Sequence, residues 1–204
     1  MAEIQDKERN PTMTARYSRT RKLVEGTLMI AMSTVLSMIP LFKMPYGGSV
    51  TLLSMLPLIL MSCRHGAKWG LFTAFVHGVL QLLLGLENLT YCATIWSQIG
   101  CILLDYLLAF TALGLASTFA RPFRKVLGLA VGAFGVCFLR FVCSFLSGWL
   151  LWGSYKDSYA WAEDLPVWLY SLIYNGSYML PEALLTVLGA VLLYKAMPKQ
   201  FQAQ

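Results

Sequence analysis

The chain has 204 residues, of which 57% are apolar and 13% are charged, and its formal net charge is +6. A soluble domain of this size does not need so much apolar surface, so the composition excludes an ordinary soluble protein and predicts a polytopic membrane protein. The excess of Lys and Arg is explained by membrane topology and by the charge of the cytoplasmic lipid surface, so it gives no reason to expect nucleic acid as a partner.

The first part of the chain differs from the rest in composition. Residues 1–22 are polar and basic, and they lack an apolar core followed by a small-residue cleavage site. This pattern is not that of a secretory signal peptide. We expect a flexible basic cytoplasmic tail over residues 1–22 and one membrane domain over residues 23–204.

Six apolar segments follow the tail, and they predict an all-α bundle of six transmembrane helices, since about 20 residues span the hydrocarbon of a bilayer. The second segment is short, so its helix is expected to be tilted, half-buried or merged with its neighbour. The segments cover residues 23–42, 52–63, 69–86, 91–119, 126–153 and 165–197.

Basic residues set the expected orientation of this bundle. In a six-helix arrangement Lys43 and Lys156 fall on one side and Arg140 lies within the fifth segment, whereas every other Lys and Arg falls on the opposite side. The positive-inside rule therefore predicts that both termini are cytoplasmic.

The loop after the first segment contains Tyr46, Gly47 and Gly48 and lies on the external side in this arrangement. A pair of glycines next to an aromatic residue is typical of an ordinary turn. The same glycines also permit the backbone change that a lid over a pocket requires.

Asp105 is the carboxylate that most needs an explanation, because residues 99–115 are otherwise uncharged and largely apolar. A charge near the centre of a spanning helix costs about 2.5 to 3.5 kcal/mol on insertion scales, so it normally faces the protein interior and finds a partner. The partner is either a bound ligand or Arg140, which would form a structural ion pair between the fourth and fifth segments.

In the fifth segment, four residues at steps of four predict one polar and aromatic stripe on a helix: Arg140, Ser144, Gly148 and Trp152. One interpretation is that the arginine snorkels, the glycine allows close helix packing and the tryptophan belongs to an interfacial belt. The alternative is that the glycine leaves room for a flat ligand against the helix.

In the sixth segment, Tyr170, Tyr174 and Tyr178 share one helix face with Asn175 beside them. An interfacial belt explains the aromatic residues, but it explains Asn175 poorly, since an amide in lipid needs hydrogen-bond partners. Together with Asp105 and Tyr106, these side chains predict a site for a flat heteroaromatic cation in the outer half of the bundle.

Other chemistry finds little support in the sequence. No phosphate-binding loop is present, so the chain is not expected to hydrolyse ATP through such a site. His65 and His77 lack metal-ligand spacing, so we expect interfacial or packing roles and no metal. The five cysteines contain no C-x-x-C pair and are expected to be reduced.

Four segments resemble the thiamine-specific substrate-binding components of energy-coupling factor (ECF) transporters, the ThiT family. They are residues 45–52 (PYGGSVTL), 105–110 (DYLLAF), 139–148 (LRFVCSFLSG) and 168–182 (WLYSLIYNGSYMLPE). The resemblance extends from Val24 to Phe201 and includes the number of helices and the cytoplasmic termini.

The resemblance implies a multi-pass protein of the bacterial plasma membrane that binds thiamine with high affinity, performs no chemistry and needs no cofactor. It also implies a thiamine pocket formed by Asp105, Tyr106, Arg140, Gly148, Trp152, Tyr170 and Asn175. Ser144 stands where family members commonly have a histidine, which leaves open a thiamine precursor or a related heteroaromatic vitamin as the ligand.

The resemblance further implies partners, namely a transmembrane coupling subunit and two ATPase subunits. Thr27 and Ala31 match the small-residue pair that meets the coupling subunit, although packing within the chain's own bundle explains such a pair equally well. From other classes, an integral membrane enzyme with Asp105 as its base and a structural scaffold are the alternatives.

Overall fold

The computed structural model describes residues 11–44, 47–123 and 125–197, with side chains from residue 19 onward except that of Lys125. The described chain is all-α apart from one small ribbon. Its helices are α1 Pro11–Ser37, α2 Leu56–His65, α3 Ala67–Leu84, α4 Ile95–Ala120, α5 Lys125–Leu150 and α6 Val167–Ala196. Within the described ranges, α3 to α6 are each long and apolar enough to cross a membrane.

The first helix extends from Pro11 to Ser37, so residues 11–22 of the expected tail continue it towards the N-terminus. The prediction that the segment remains helical to Phe42 is wrong. Pro40 follows shortly after Ser37, and proline disfavours a helical conformation at the residue before it. The chain therefore leaves the helix ahead of Pro40.

A two-stranded antiparallel ribbon follows α1 and was not predicted. Strand β1 is Pro40–Lys43 and strand β2 is Ser49–Thr51. Gly47 and Gly48 have φ values of 113° and 83°, a backbone region that favours glycine. These two glycines therefore form part of the turn of the ribbon, whereas Tyr46 lies outside the described residues.

The second helix is a separate ten-residue element, too short to cross a bilayer alone. It begins at Leu56, with Pro57 in its first turn, where proline is tolerated. Leu58, Ile59 and Met61 are fully buried. Thus α2 lies inside the protein, with its apolar side chains packed against the longer helices.

The fourth helix has two departures from α geometry. Residues Ile102–Leu108 form a π-helical turn and residues Ala112–Leu115 a 3-10 turn. Its start differs from the prediction, because Leu86–Tyr91 form a separate 3-10 turn and Thr94 caps the helix through reciprocal bonds with Ser97. Single π turns occur frequently at functional sites, and this one contains Asp105 and Tyr106.

The main apolar core joins α2 to α4, α5 and the C-terminal half of α6. Leu58, Leu113, Val136 and Ala190 are fully buried members of this core. A smaller cluster of Cys92, Cys101 and Tyr106 lies near the start of α4. Between these clusters and the ribbon, the side chains of the described residues leave a cavity, and this cavity forms the candidate site.

Candidate ligand-binding site

A cavity of about 200 Å³ lies between α3, α4, α5, α6 and the turn of the ribbon. A single water needs only about 10 to 15 Å³ of such space, so the cavity has room for a small organic molecule. It is lined by Gly47, Gly48, Ser49, Gln81, Asn88, Cys101, Asp105, Tyr106, Phe110, Arg140, Ser144, Gly148, Trp152, Tyr155, Tyr170, Tyr174, Asn175 and Tyr178.

The structure brings the predicted site residues together around this one cavity. Helix α4 contributes Asp105 and Tyr106, and α6 contributes Tyr170 and Asn175. Of the predicted stripe, Arg140, Ser144 and Gly148 lie on α5, whereas Trp152 follows two residues after the end of this helix. Of the predicted lid, Gly47 and Gly48 line the cavity. Thr27 and Ala31 lie elsewhere, on the exposed surface of α1.

Asp105 is held by one donor from α5 and one from the connection that follows this helix. Ser147 Oγ donates to its Oδ2 over 2.5 Å, and Trp152 Nε1 donates to the same oxygen over 3.2 Å. Within the described part of the chain, no ion pair joins Asp105 to Arg140. Neutral donors therefore orient the carboxylate at the cavity wall.

Arg140 also faces the cavity from α5. Its Cζ lies 4.4 Å from the centroid of the Phe110 ring, close enough for a cation–π interaction. Among the described residues the guanidinium has no hydrogen bond or ion pair. The cavity is therefore lined by an anion and a cation that do not neutralise each other at short range.

Gly148 lies at a close contact between α5 and α6 beside the cavity. A methyl group at this position would overlap Ser171 Oγ and lie 2.8 Å from Asn175 Nδ2. The interpretation that Gly148 allows close helix packing therefore accounts for the glycine, and α6 side chains occupy much of the room it leaves.

The amide of Asn175 is satisfied by its own helix. Its Nδ2 donates to Ser171 O over 3.0 Å, and its Oδ1 accepts from Tyr178 Oη over 2.7 Å. Only 5% of the residue is exposed. These bonds explain how the amide is tolerated inside the bundle, and they hold the Tyr178 ring in place.

Aromatic rings form a continuous wall along α6. The centroids of Tyr170 and Tyr174 are 5.7 Å apart, and those of Tyr174 and Tyr178 are 6.1 Å apart. Tyr159 and Trp161, from the connection between α5 and α6, pack against Tyr170. Such faces attract flat rings and cations.

The ribbon is attached to the same face of α6. Tyr174 Oη donates to Gly47 O over 2.7 Å, and a methyl group on Gly48 would lie 2.7 Å from Tyr178 Cε1. One turn further on, Glu182 accepts bonds from Thr51 N and Thr51 Oγ1, each over 2.5 Å. Three successive turns of α6 thus hold the turn and the second strand of the ribbon.

Sequence reasoning missed two side chains that organise this region. Glu182 is 2% exposed, and the cost argument used for Asp105 applies equally to this second carboxylate. Ser147 was overlooked because it lies one residue off the stripe of α5, although it follows Ser144 at a spacing that shares a helix face. Gln81, Asn88, Phe110 and Tyr155 also line the cavity and were not singled out.

The remaining sequence expectations concern histidines, cysteines and metals. His77 is buried among polar groups of α1 and α3, and His65 lies 3.0 Å from Glu25. All five cysteines are free thiols. Within the described ranges, no cluster of ligating side chains is arranged for a metal ion.

Several apolar helices around a cavity with an anion, a cation and aromatic walls define a membrane protein built to hold a small molecule. The chain belongs to the thiamine transporter protein family, whose model matches residues 23–202. It is accordingly a multi-pass protein of the bacterial cell membrane and a transporter component, not an enzyme.

Two curated relatives and one solved structure are similar to the chain. The thiamine transporter ThiT of Bacillus subtilis is 31% identical over 191 residues, covering 87% of this chain and 92% of that protein. ThiT of Lacticaseibacillus paracasei is 25% identical over 203 residues, covering 89% and 90%. The structure of ThiT from Listeria monocytogenes superposes with a TM-score of 0.71 at 25% identity, covering 90% of this chain and 98% of that one.

Proposed function

We propose that this chain binds thiamine with high affinity in the cavity, as the substrate-binding component of an ECF-type uptake transporter. The observation that carries the proposal is the presence of Asp105 and Arg140 on one aromatic-lined cavity without an ion pair between them among the described residues. Thiamine joins a thiazolium cation to an aminopyrimidine, so it offers a positive charge, hydrogen-bond donors, ring acceptors and two flat faces.

Each predicted side chain has a role that suits this ligand. Asp105 offsets the positive charge or accepts a hydrogen bond from the amino group, and Arg140 donates to ring nitrogens. The faces of Trp152 and Tyr170 stack on the rings, while Tyr106 and Asn175 complete the wall. Ser144 leaves more room than a histidine and contributes a hydroxyl.

The proposed topology is a membrane bundle of six helices with cytoplasmic termini, in which the ten-residue α2 does not cross the bilayer alone. The distribution of basic residues supports it, because Arg64 and Arg121 then face the same side as the N-terminus. The cavity, which lies beside the ribbon, would open towards the outside. Tyr46, Gly47 and Gly48 would act as the lid, with the two glycines permitting its movement.

Energy for transport would come from separate subunits, a transmembrane coupling subunit and two ATPase subunits, since the chain has no phosphate-binding loop. Thr27 and Ala31 are exposed one turn apart on α1 and allow close approach of a partner helix. Release of thiamine would then follow from a difference in affinity between two orientations of the bundle.

Titration of the purified protein with thiamine, and separately with its pyrimidine and thiazole halves, tests the proposal. We expect one tight site for thiamine and much weaker binding of each half, because each half fills only part of the cavity. Preference for one half over intact thiamine would instead identify a precursor transporter. No binding of thiamine would refute the proposal.

A further inference from the structure

We propose that Gln81 is an additional ligand-binding residue, whose side-chain oxygen accepts a hydrogen bond from an N–H or O–H group of the bound molecule. The inference rests on the function proposed above, because thiamine has an amino group and a hydroxyl. Gln81 lies on α3 and lines the cavity. The hydrogen bonds of its amide determine which end of the side chain faces the ligand.

Three hydroxyl groups near the C-terminal end of α1 donate their hydrogens to backbone carbonyl groups. Ser33 Oγ donates to Ser54 O over 2.5 Å, and Thr34 Oγ1 donates to Ile30 O over 2.9 Å. Ser37 Oγ donates to Thr34 O over 2.7 Å. Because a hydroxyl has one hydrogen, each of these oxygens offers only lone pairs to its other neighbours.

The Gln81 amide has one terminal atom 2.6 Å from Ser37 Oγ and 3.2 Å from His77 Nε2. Oxygen and nitrogen of an amide are assigned from the hydrogen-bond network, and here the two short contacts of Ser37 Oγ make the assignment. Since Ser37 Oγ can only accept, the atom beside it must be a donor. The nitrogen of Gln81 therefore points towards α1.

His77 takes up the second hydrogen of this nitrogen. The Nδ1 of His77 lies 3.2 Å from Thr34 Oγ1, whose hydrogen is committed to a carbonyl, so Nδ1 must carry a hydrogen. In a neutral imidazole Nε2 is then an acceptor, and it receives the bond from Gln81 over 3.2 Å. Ser33 Oγ lies further away, 3.4 Å from Nε2, and because its hydrogen is donated to Ser54 O it makes no bond to this nitrogen. The ring is buried and packs edge-on against Phe110, with centroids 5.2 Å apart, which holds it in this orientation.

Both hydrogens of the Gln81 amide are thus used on the side of α1, and the oxygen is turned away from that side. Gln81 Oε1 accepts no hydrogen bond from the described residues. Among these residues, the buried side-chain atoms that lack a partner are Glu25 Oε1, Thr111 Oγ1 and Thr186 Oγ1, so Gln81 Oε1 is accessible and not buried. It is a fixed acceptor at the cavity wall. An acceptor oriented in advance favours a ligand with a donor at that point.

The test is a titration of three proteins with three ligands. The proteins are the wild type, Gln81→Met and the control Leu83→Met, which changes an exposed side chain of the same helix. The ligands are thiamine, an analogue with the amino group replaced by hydrogen and an analogue with the hydroxyl replaced by hydrogen. Thermal unfolding without ligand checks that each variant is folded.

We expect Gln81→Met to weaken thiamine binding about 3- to 10-fold, the usual effect of one lost hydrogen bond. The same substitution should leave the affinity for one of the two analogues unchanged, because that analogue lacks the donor that Gln81 binds. Leu83→Met should change neither value. Equal losses for all three ligands, or no loss of thiamine affinity, would overturn the inference.

A second variant keeps the inference testable if Gln81→Met does not fold. Ser37→Ala removes an acceptor that holds the amide nitrogen, so it should reduce the preference for thiamine over the same analogue by about 2- to 3-fold. Unchanged preference in Ser37→Ala would contradict the inference. Wild-type protein that binds no thiamine would refute the proposed function itself, whereas normal wild-type binding with unaffected variants would refute only the role of Gln81.

Discussion

At the scale of single residues, Asp105 illustrates how a costly charge is accommodated before a ligand arrives. Ser147 and Trp152 donate to one of its oxygens, so the carboxylate is oriented without a cation beside it in the described structure. Arg140, which could have neutralised it, instead lies over Phe110. A bound cation can therefore supply the missing charge partner.

The first prediction concerns this carboxylate. Asp105→Asn should weaken thiamine binding about 10- to 100-fold, because a hydrogen bond to a charged group contributes about 1.5 to 3 kcal/mol. Isothermal titration of the purified variant measures the loss. Asp164→Asn, which changes an exposed carboxylate between α5 and α6, serves as the control and should bind like the wild type. Equal affinity of both variants would contradict the proposed role of Asp105.

At the scale of elements, the contact between α5 and α6 and the attachment of the ribbon to α6 position the site. Gly148 lets Ser171 and Asn175 approach α5, and Tyr174, Tyr178 and Glu182 hold the ribbon. The aromatic wall and the turn over the cavity therefore depend on the same helix. Changes that separate these elements should affect stability and binding together.

Two glycine substitutions test the helix contact. Gly148→Ala should lower the free energy of unfolding by about 1 to 3 kcal/mol, because the added methyl group overlaps Ser171 Oγ. Gly176→Ala is the matched control, since nothing lies within 4 Å of a methyl group there. It should stabilise α6 by up to about 1 kcal/mol through its higher helix propensity. Thermal unfolding in detergent measures both, and a Gly148→Ala protein as stable as wild type would argue against the close contact.

The ribbon attachment gives a third prediction. Glu182→Ala leaves the Thr51 N–H without its acceptor, at a cost of about 1 to 3 kcal/mol, so the ribbon should open more often. Hydrogen exchange followed by mass spectrometry should show faster exchange of the Thr51 amide and the adjoining turn. Glu163→Ala, at an exposed position, should leave this exchange unchanged. Unaltered exchange in Glu182→Ala would mean that the carboxylate does not hold the ribbon.

At the scale of the whole molecule, the sequence predicted most of the candidate site because charge and helical periodicity are visible in it. Asp105 is evident because a charge in an apolar spanning segment costs free energy. The stripe from Arg140 to Trp152 is evident because its residues recur at steps of four, which a helix places on one face. Gln81 and Ser147 could not be singled out, since an uncharged polar side chain gives no comparable signal. Their importance depends on which helices pack together, and that is a property of the fold.

The same reasoning explains the fold predictions that differed from the structure. Average hydropathy does not distinguish a helix from a ribbon, so it extends the first apolar segment beyond Pro40, although proline there favours an early end of the helix. The π turn at Asp105 has no motif in residues Ile102–Leu108 from which it could be predicted. The short second segment is unusual in its length, and this is visible in the sequence. The full burial of Leu58, Ile59 and Met61 depends on the longer helices that pack around α2, and these contacts are a property of the fold.

The central claim is that the cavity holds thiamine, and analysis of the naturally bound molecule tests it most directly. The protein is purified from thiamine-replete cells without added ligand, and the small molecules released on denaturation are identified by mass spectrometry and counted per chain. We predict one thiamine per wild-type chain and a much lower occupancy in Asp105→Asn. Recovery of a different molecule at full occupancy, or of no thiamine from folded wild-type protein, would contradict the account.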